Sequence, residues 1–223
     1  MGTLSIVATP IGNLEDITLR ALRTLKECDV IYAEDTRVVS KLLARYDLKK
    51  PLRRLDAATE MEKAQEILAR LEAGERVSYV SDAGTPGISD PGARLVAQVR
   101  AHLPEADIEA IPGASALTAA LSIAGLDTTC FTFLGFLPHK KGRQTARKKI
   151  VLFDCPVVLY ESPHRIEKLL KELEDLPVSR VIVARELTTV HEEIVSGSAA
   201  DVRAHFAVRR ETVRGEFVVI AVP

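Results

Sequence analysis

Two loops hold the residues best suited to gripping a small ligand. Ser81-Asp82-Ala83-Gly84-Thr85-Pro86-Gly87-Ile88-Ser89-Asp90-Pro91-Gly92 packs three glycines, two prolines and two aspartates into twelve residues, and Ala8-Thr9-Pro10-Ile11-Gly12-Asn13 is a shorter loop of similar make-up. Glycine allows positive φ and close approach of main chain to a ligand, while proline stiffens the turn and removes a donor. Such a loop presents oriented backbone amides, flanked here by two carboxylates, as a shaped binding surface. A plain helix start, with Asp90 as N-cap and Pro91 at the first helical position, accounts for the last three residues only. A third feature is His139-Lys140-Lys141-Gly142-Arg143-Gln144-Thr145-Ala146-Arg147-Lys148-Lys149, with six Lys or Arg and no acid. The formal net charge is −1, so nucleic-acid contact would have to come from a local patch. This segment is the clearest one, and a solvated helix face is its plain alternative.

Both loops follow short apolar runs, Leu4 to Ala8 and Val77 to Val80, which read as strands. Ligands of open α/β sheets gather at such strand ends. Further strands are expected at Val30 to Ala33, Ile108 to Ile111, Phe131 to Gly135, Val157 to Tyr160, Arg180 to Ala184, Glu192 to Val195 and Phe217 to Val222. Helical periodicity falls at Thr18 to Lys26, Val38 to Arg45, Glu60 to Glu72, Ala93 to Ala101, Ala116 to Ile123, Arg143 to Phe153 and His164 to Leu173. The alternation predicts an α/β architecture with mostly parallel strands. A break near Pro112-Gly113 suggests two α/β domains, 1–112 and 113–223, with a site between them.

An apolar content of 47% over 223 residues is ample for buried cores. Cys28, Cys130 and Cys155 show no paired spacing, which argues against a zinc site or a disulfide framework and fits a reducing cytoplasm. No stretch approaches the roughly 20 apolar residues of a membrane span, and no targeting segment is evident. The histidines have no neighbouring cluster in metal-ligand spacing, so no metal is expected.

The two loops recur within a longer series: Val7 to Leu14, Ala33-Glu34-Asp35-Thr36-Arg37, Ser81 to Gly92, Ile111-Pro112-Gly113, Tyr160-Glu161-Ser162-Pro163-His164-Arg165, Ala184-Arg185-Glu186-Leu187-Thr188 and Arg214-Gly215-Glu216-Phe217. In order and content this series resembles the bacterial 16S ribosomal RNA 2'-O-ribose cytidine methyltransferases of the tetrapyrrole methylase superfamily. It covers nearly the whole chain. The resemblance implies two α/β domains of the tetrapyrrole methylase type with S-adenosyl-L-methionine in the cleft between them. It implies a cytoplasmic homodimer and methylation of a cytidine in the decoding region of 16S rRNA, on the RNA or the small ribosomal subunit. Carried over by position, cofactor contacts fall on Ile11, on Asp82, Ala83, Gly84 and Thr85, on Ser115 and Ala116, and on Tyr160 and Ala184, many through backbone atoms. The chain lacks the Gly-x-Gly-x-x-Gly turn of Rossmann-type methyltransferases.

The implied reaction needs an in-line attack and a place for the hydroxyl proton. Glu34, Asp35, Glu161, Glu186 and His191 are candidates at strand ends, with Glu161 and Glu186 favoured; each acid has capping or arginine pairing as its plain alternative. Arg37, Arg165 and Arg185 either contact RNA or close ion pairs with Glu34, Glu161 and Glu186. Lys140, Lys141, Arg143 and Arg147 join them as expected substrate contacts. The chain departs from the resembling pattern at Val38-Val39, at Arg53 to Glu60, and in ending at Pro223 without the carboxyl-terminal region many relatives carry, so RNA affinity is expected to lean more heavily on 139–149 and on dimer geometry. Two alternatives stay open: a methylase of a small tetrapyrrole or modified protein side chain, which has no use for a basic segment, and a noncatalytic RNA-binding assembly factor. The sequence leaves undecided the nucleotide methylated, the general base, and whether naked RNA or the assembled subunit is the substrate.

Overall fold

A computed structural model describes residues 1–56, 58–208 and 214–223. Ala57, inside the Arg53 to Glu60 departure, lies outside the described residues. The chain forms two compact units, Met1–Ser115 and Ala116–Pro223.

The first unit alternates β1 (Thr3–Val7), α1 (Leu19–Glu27), β2 (Val30–Ala33), α2 (Thr36–Arg45), β3 (Leu52–Arg54), α3 (Glu60–Glu72), β4 (Arg76–Val80), α4 (Ala93–His102) and β5 (Asp107–Ile111). Its sheet is parallel throughout, in the order β3-β2-β4-β1-β5. Helices cover both faces, which is why the central strands are mostly apolar, with Ser5 and Ser78 as buried polar exceptions. Along β2, Val30 and Tyr32 enter a core with α3 and α4, whereas Ile31 and Ala33 enter a second core with α1 and α2. The three-residue β3 is an edge strand in register with β2 from Ile31↔Leu52, with both its arginines exposed.

The second unit contains α5 (Ala116–Ile123), β6 (Thr132–Phe136), α6 (Arg143–Ile150), β7 (Val157–Glu161), α7 (Ile166–Glu174), β8 (Arg180–Arg185), β9 (Glu193–Gly197), α8 (Ala199–Val208) and β10 (Phe217–Val222). Here the expectation of mostly parallel strands is corrected. In the order β6-β7-β10-β8-β9 only the neighbours β6 and β7 pair in parallel. Strand β10 inserts antiparallel between β7 and β8, and β9 folds back on β8. The reversal follows from chain path: β9 returns directly after β8, so α8 delivers β10 in the opposite sense. Val157, Leu159, Val181, Val183, Phe217 and Val219 point from one face into a core with α7 and α8.

Helix α8 was not expected from periodicity. Its start is marked instead by a reciprocal cap, in which Asp201 N donates to Ser198 Oγ (3.1 Å) and Ser198 N donates to Asp201 Oδ2 (3.3 Å). Among the described residues no helix is long and apolar enough to cross a membrane, and no group of three or more His, Cys, Asp or Glu could hold a metal ion.

Candidate active site

In the first unit the loops after β1, β2 and β4 meet at the carboxyl edge of the parallel sheet. An isolated antiparallel bridge ties two of them: Thr9 N donates to Gly84 O (2.9 Å) and Gly84 N donates to Thr9 O (3.0 Å). Gly84 sits at φ +78°, and a Cβ there would lie 3.2 Å from Ile11 Cγ2 and 3.5 Å from Ala114 O. Only glycine allows both that backbone angle and that closeness. Thr85 Oγ1 donates to Ala114 O (3.1 Å), which brings the segment before Ser115 into the same cluster.

The third loop is joined through Asp82, whose Oδ1 accepts from Asp35 N (2.8 Å). Asp35 in turn caps α2 by accepting from Arg37 N (2.8 Å). Together these loops and α2 enclose a pocket of about 220 Å³. Pro10, Ile11, Leu14, Val38, Val39 and Leu42 give it an apolar wall, and Thr9, Ser81, Asp82 and Ala83 a polar edge. The Val38-Val39 departure thus becomes pocket lining.

A second space of about 390 Å³ is bordered by Glu34, Glu60, Ser89, Asp90 and Arg94. Burial pushes the Glu34 carboxyl above its ordinary range, and the charges of Asp82, Asp56 and Asp35 push the same way. Asp35 is held down to about 2 by hydrogen bonds from Arg37. The expected cap at Asp90 is corrected: α4 begins at Ala93 with Gly92 at the N-cap. Glu60 takes the capping role, its buried Oε1 accepting from Gly92 N and Leu95 N (3.0 Å each).

In the second unit Tyr160, at the end of β7, accepts a hydrogen bond on its hydroxyl from Leu117 N (3.1 Å), which orients it toward the first turn of α5 beside Ala116. Edge contacts with Phe133 (4.9 Å) and Phe136 (5.6 Å) fix its ring. Ala184 is buried within β8, opposite Val218 and Ile194.

Glu161 is fully buried. Its carboxylate meets Arg165 Nε at 3.0 Å and Arg143 Nη2 at 3.7 Å, and accepts from Ser162 N (3.0 Å). Arg165 also donates to Leu137 O and contacts His139. Arg143 is 4% exposed and closes a second pair with Glu172 (2.7 Å), while Arg147 pairs with Asp175 (3.4 Å). The two arginines of the basic segment 139–149 are thus paired with acids in α7 and at its C-cap. Lys140, Lys141, Lys148 and Lys149 remain exposed.

Glu186 follows β8 in the left-handed region at φ +49°, an uncommon place for a side chain with a Cβ. Its carboxyl lies so close to Gly215 that a Cβ on that glycine would fall 1.4 Å from Glu186 Oε1. Two separate motifs of the sequence therefore meet here. Arg185 pairs with Glu193 (2.6 Å), which also contacts His205 (2.7 Å). Arg37 pairs with Asp35 with its side chain 87% exposed, and His191 is exposed.

Over residues 3–203 the sequence matches the family described as Tetrapyrrole (Corrin/Porphyrin) Methylases. The ribosomal RNA small subunit methyltransferase I of Neisseria meningitidis serogroup B is 43% identical over 226 residues, spanning 100% of this chain and 76% of that protein. Its counterpart from Thermotoga maritima is 42% identical over 221 residues, spanning 99% and 98%. Among solved structures, the methyltransferase CobJ matches with a TM-score of 0.73 at 23% identity, covering 100% of this chain and 94% of that one. The uroporphyrin-III C-methyl transferase of Thermus thermophilus complexed with S-adenosyl homocysteine matches with a TM-score of 0.66 at 22% identity, covering 98% and 97%. These structural likenesses carry the fold, and with the full-length sequence identities they establish that the chain belongs to the tetrapyrrole methylase family.

Proposed function

We propose that this protein is an S-adenosylmethionine-dependent methyltransferase that modifies the 2'-hydroxyl of a cytidine in the decoding region of 16S rRNA. The observation that carries this reading is the 42% identity to a ribosomal RNA small subunit methyltransferase I of which the chain spans 98%. The loop geometry fits the cofactor. An apolar wall formed by Ile11, Val38 and Val39 beside the Asp82 carboxylate suits a flat heteroaromatic group joined to a cationic sulfonium, and the glycine at 84 leaves room for close main-chain contact. Ile11, Asp82, Ala83, Gly84, Thr85 and Ser115 are the first unit's contacts in this proposal; Ala116, Tyr160 and Ala184 are those of the second.

When bound, S-adenosylmethionine supplies an electrophilic methyl group. The protein's task is then to orient the ribose oxygen, exclude water and receive a proton. Positioning alone is worth up to about 7–11 kcal/mol, and a general base adds roughly 10²–10⁴-fold. Glu34, raised by burial and like charges, and Glu186, held in a strained conformation, are the carboxylates suited to take the proton. Glu161 is a positioning residue that fixes Arg165 and Arg143. Exposed Lys140, Lys141, Lys148 and Lys149 meet RNA phosphates. A cytoplasmic homodimer belongs to the same proposal, and sedimentation of the purified protein reads the dimer directly.

The test is transfer of labelled methyl from S-adenosylmethionine to small ribosomal subunits lacking the modification. Label in the RNA supports the proposal. Cofactor binding without RNA label moves the protein to a small-molecule methylase or a noncatalytic factor.

A further inference from the structure

Cys130 and Cys155 look isolated in the sequence, yet the fold pairs them. Strands β6 and β7 run parallel with Thr132 opposite Val157 and Phe133 opposite Val158, and the same offset sets Cys130 opposite Cys155 just before both strands begin. Adjacent strands lie about 4.8 Å apart, within the roughly 4.4–6.8 Å between Cα atoms that a disulfide spans. Thr132, at the start of β6 and two residues on from Cys130, has its Oγ1 3.5 Å from Cys155 Sγ. The neighbouring Cys155 thiol raises Cys130 above the ordinary thiol range. Cys130 is exposed and Cys155 half-buried.

We propose that Cys130 and Cys155 form a dithiol site that exchanges with small disulfides to close an intrachain disulfide across the amino ends of β6 and β7. The exposed Cys130 thiolate attacks one sulfur of the small disulfide, whose S–S bond breaks and releases one small thiol. Cys155 then attacks Cys130 of the mixed disulfide, forming the protein S–S bond and releasing the second small thiol. The two protein sulfurs are oxidised, the reagent is reduced, and the two thiol protons leave on the released thiols. The new bond closes β6, α6 and the exposed Lys140, Lys141, Lys148 and Lys149 into one covalent loop. Cys28 takes no part: it is buried and donates to Leu25 O (3.3 Å).

The test is incubation of the reduced, full-length protein with oxidised glutathione, followed by intact mass and peptide mapping. The expected product has lost two hydrogens, carries no glutathione, and links the peptides holding Cys130 and Cys155. The variants C130S and C155S, checked to melt as the wild type does, each retain glutathione on the remaining surface thiol instead. A stable glutathione adduct on wild-type Cys130, a disulfide between two copies, or two thiols left unreacted would each overturn the proposal.

Discussion

Replacing Glu161 separates a positioning role from a chemical one. In E161A the Arg165 and Arg143 guanidiniums, 3.0 and 3.7 Å from the lost carboxylate, stay in place with side chains only 16% and 5% exposed. Arg143 keeps Glu172 and Arg165 keeps Leu137 O, so neither is wholly stranded. Removing one partner of a buried ion pair costs about 3–5 kcal/mol. For a chain of this length each kcal/mol moves the melting temperature by roughly 2–4 °C, so E161A is expected to melt about 6–20 °C below wild type. E161Q keeps an acceptor for Ser162 N and falls between the two. The double variant E161M/R165M removes both charges and is expected to lose less than the sum of its single variants. Calorimetry of wild type, E161A, E161Q, the double variant and its single variants E161M and R165M, with methyl transfer measured well below each melting point, is the assay. If E161Q melts within about 1 °C of wild type while methyl transfer falls by about 10³-fold, Glu161 does chemistry and the positioning account is wrong.

Gly84→Ala places a side chain at φ +78° beside Ile11, a strain of about 1–2 kcal/mol, and is expected to weaken S-adenosylhomocysteine binding about tenfold by titration calorimetry. Replacing Lys140, Lys141, Lys148 and Lys149 with alanine is expected to reduce the slope of log affinity for RNA against log salt by about 3, whereas R143A leaves the slope unchanged and lowers the melting temperature. Glu34 has its carboxyl raised in the folded state, so the folded protein binds the extra proton and the stability it contributes is lost as pH rises above the ordinary glutamate value of about 4.3. E34Q is therefore expected to melt higher than wild type at pH 8, with the gap narrowing toward pH 4; a gap that widens on acidification would reverse the assignment.

Much of the first unit could be read directly because its central strands β1, β2 and β4 are buried on both faces and mostly apolar. The edge strands differ: β5 carries exposed Asp107 and Glu109, and β3 is three residues long with two exposed arginines, so that only its ladder to β2 makes it a strand. In the second unit the elements were mostly visible but their directions were not, since alternation of strand and helix does not reveal that β10 inserts antiparallel. Helix α8 lacks a clear apolar stripe, and its one signal was the Ser198-x-x-Asp201 cap. The loops around Ile11 and Asp82 stood out because glycine and proline mark special backbone shapes. Partners distant in sequence did not. Segment charge could not show that Arg143 and Arg147 are paired with acids in α7 and at its C-cap, nor could cysteine spacing show that parallel register brings Cys130 beside Cys155. Glu60 gave no sign that it would cap α4 across the core.

The central claim is the identity of the methylated group. Small ribosomal subunits lacking the modification, incubated with the protein and labelled S-adenosylmethionine, are digested to nucleosides and separated. The account predicts label on 2'-O-methylcytidine from a single decoding-region position. Label on a base carbon or nitrogen, or none in RNA despite bound cofactor, would contradict it.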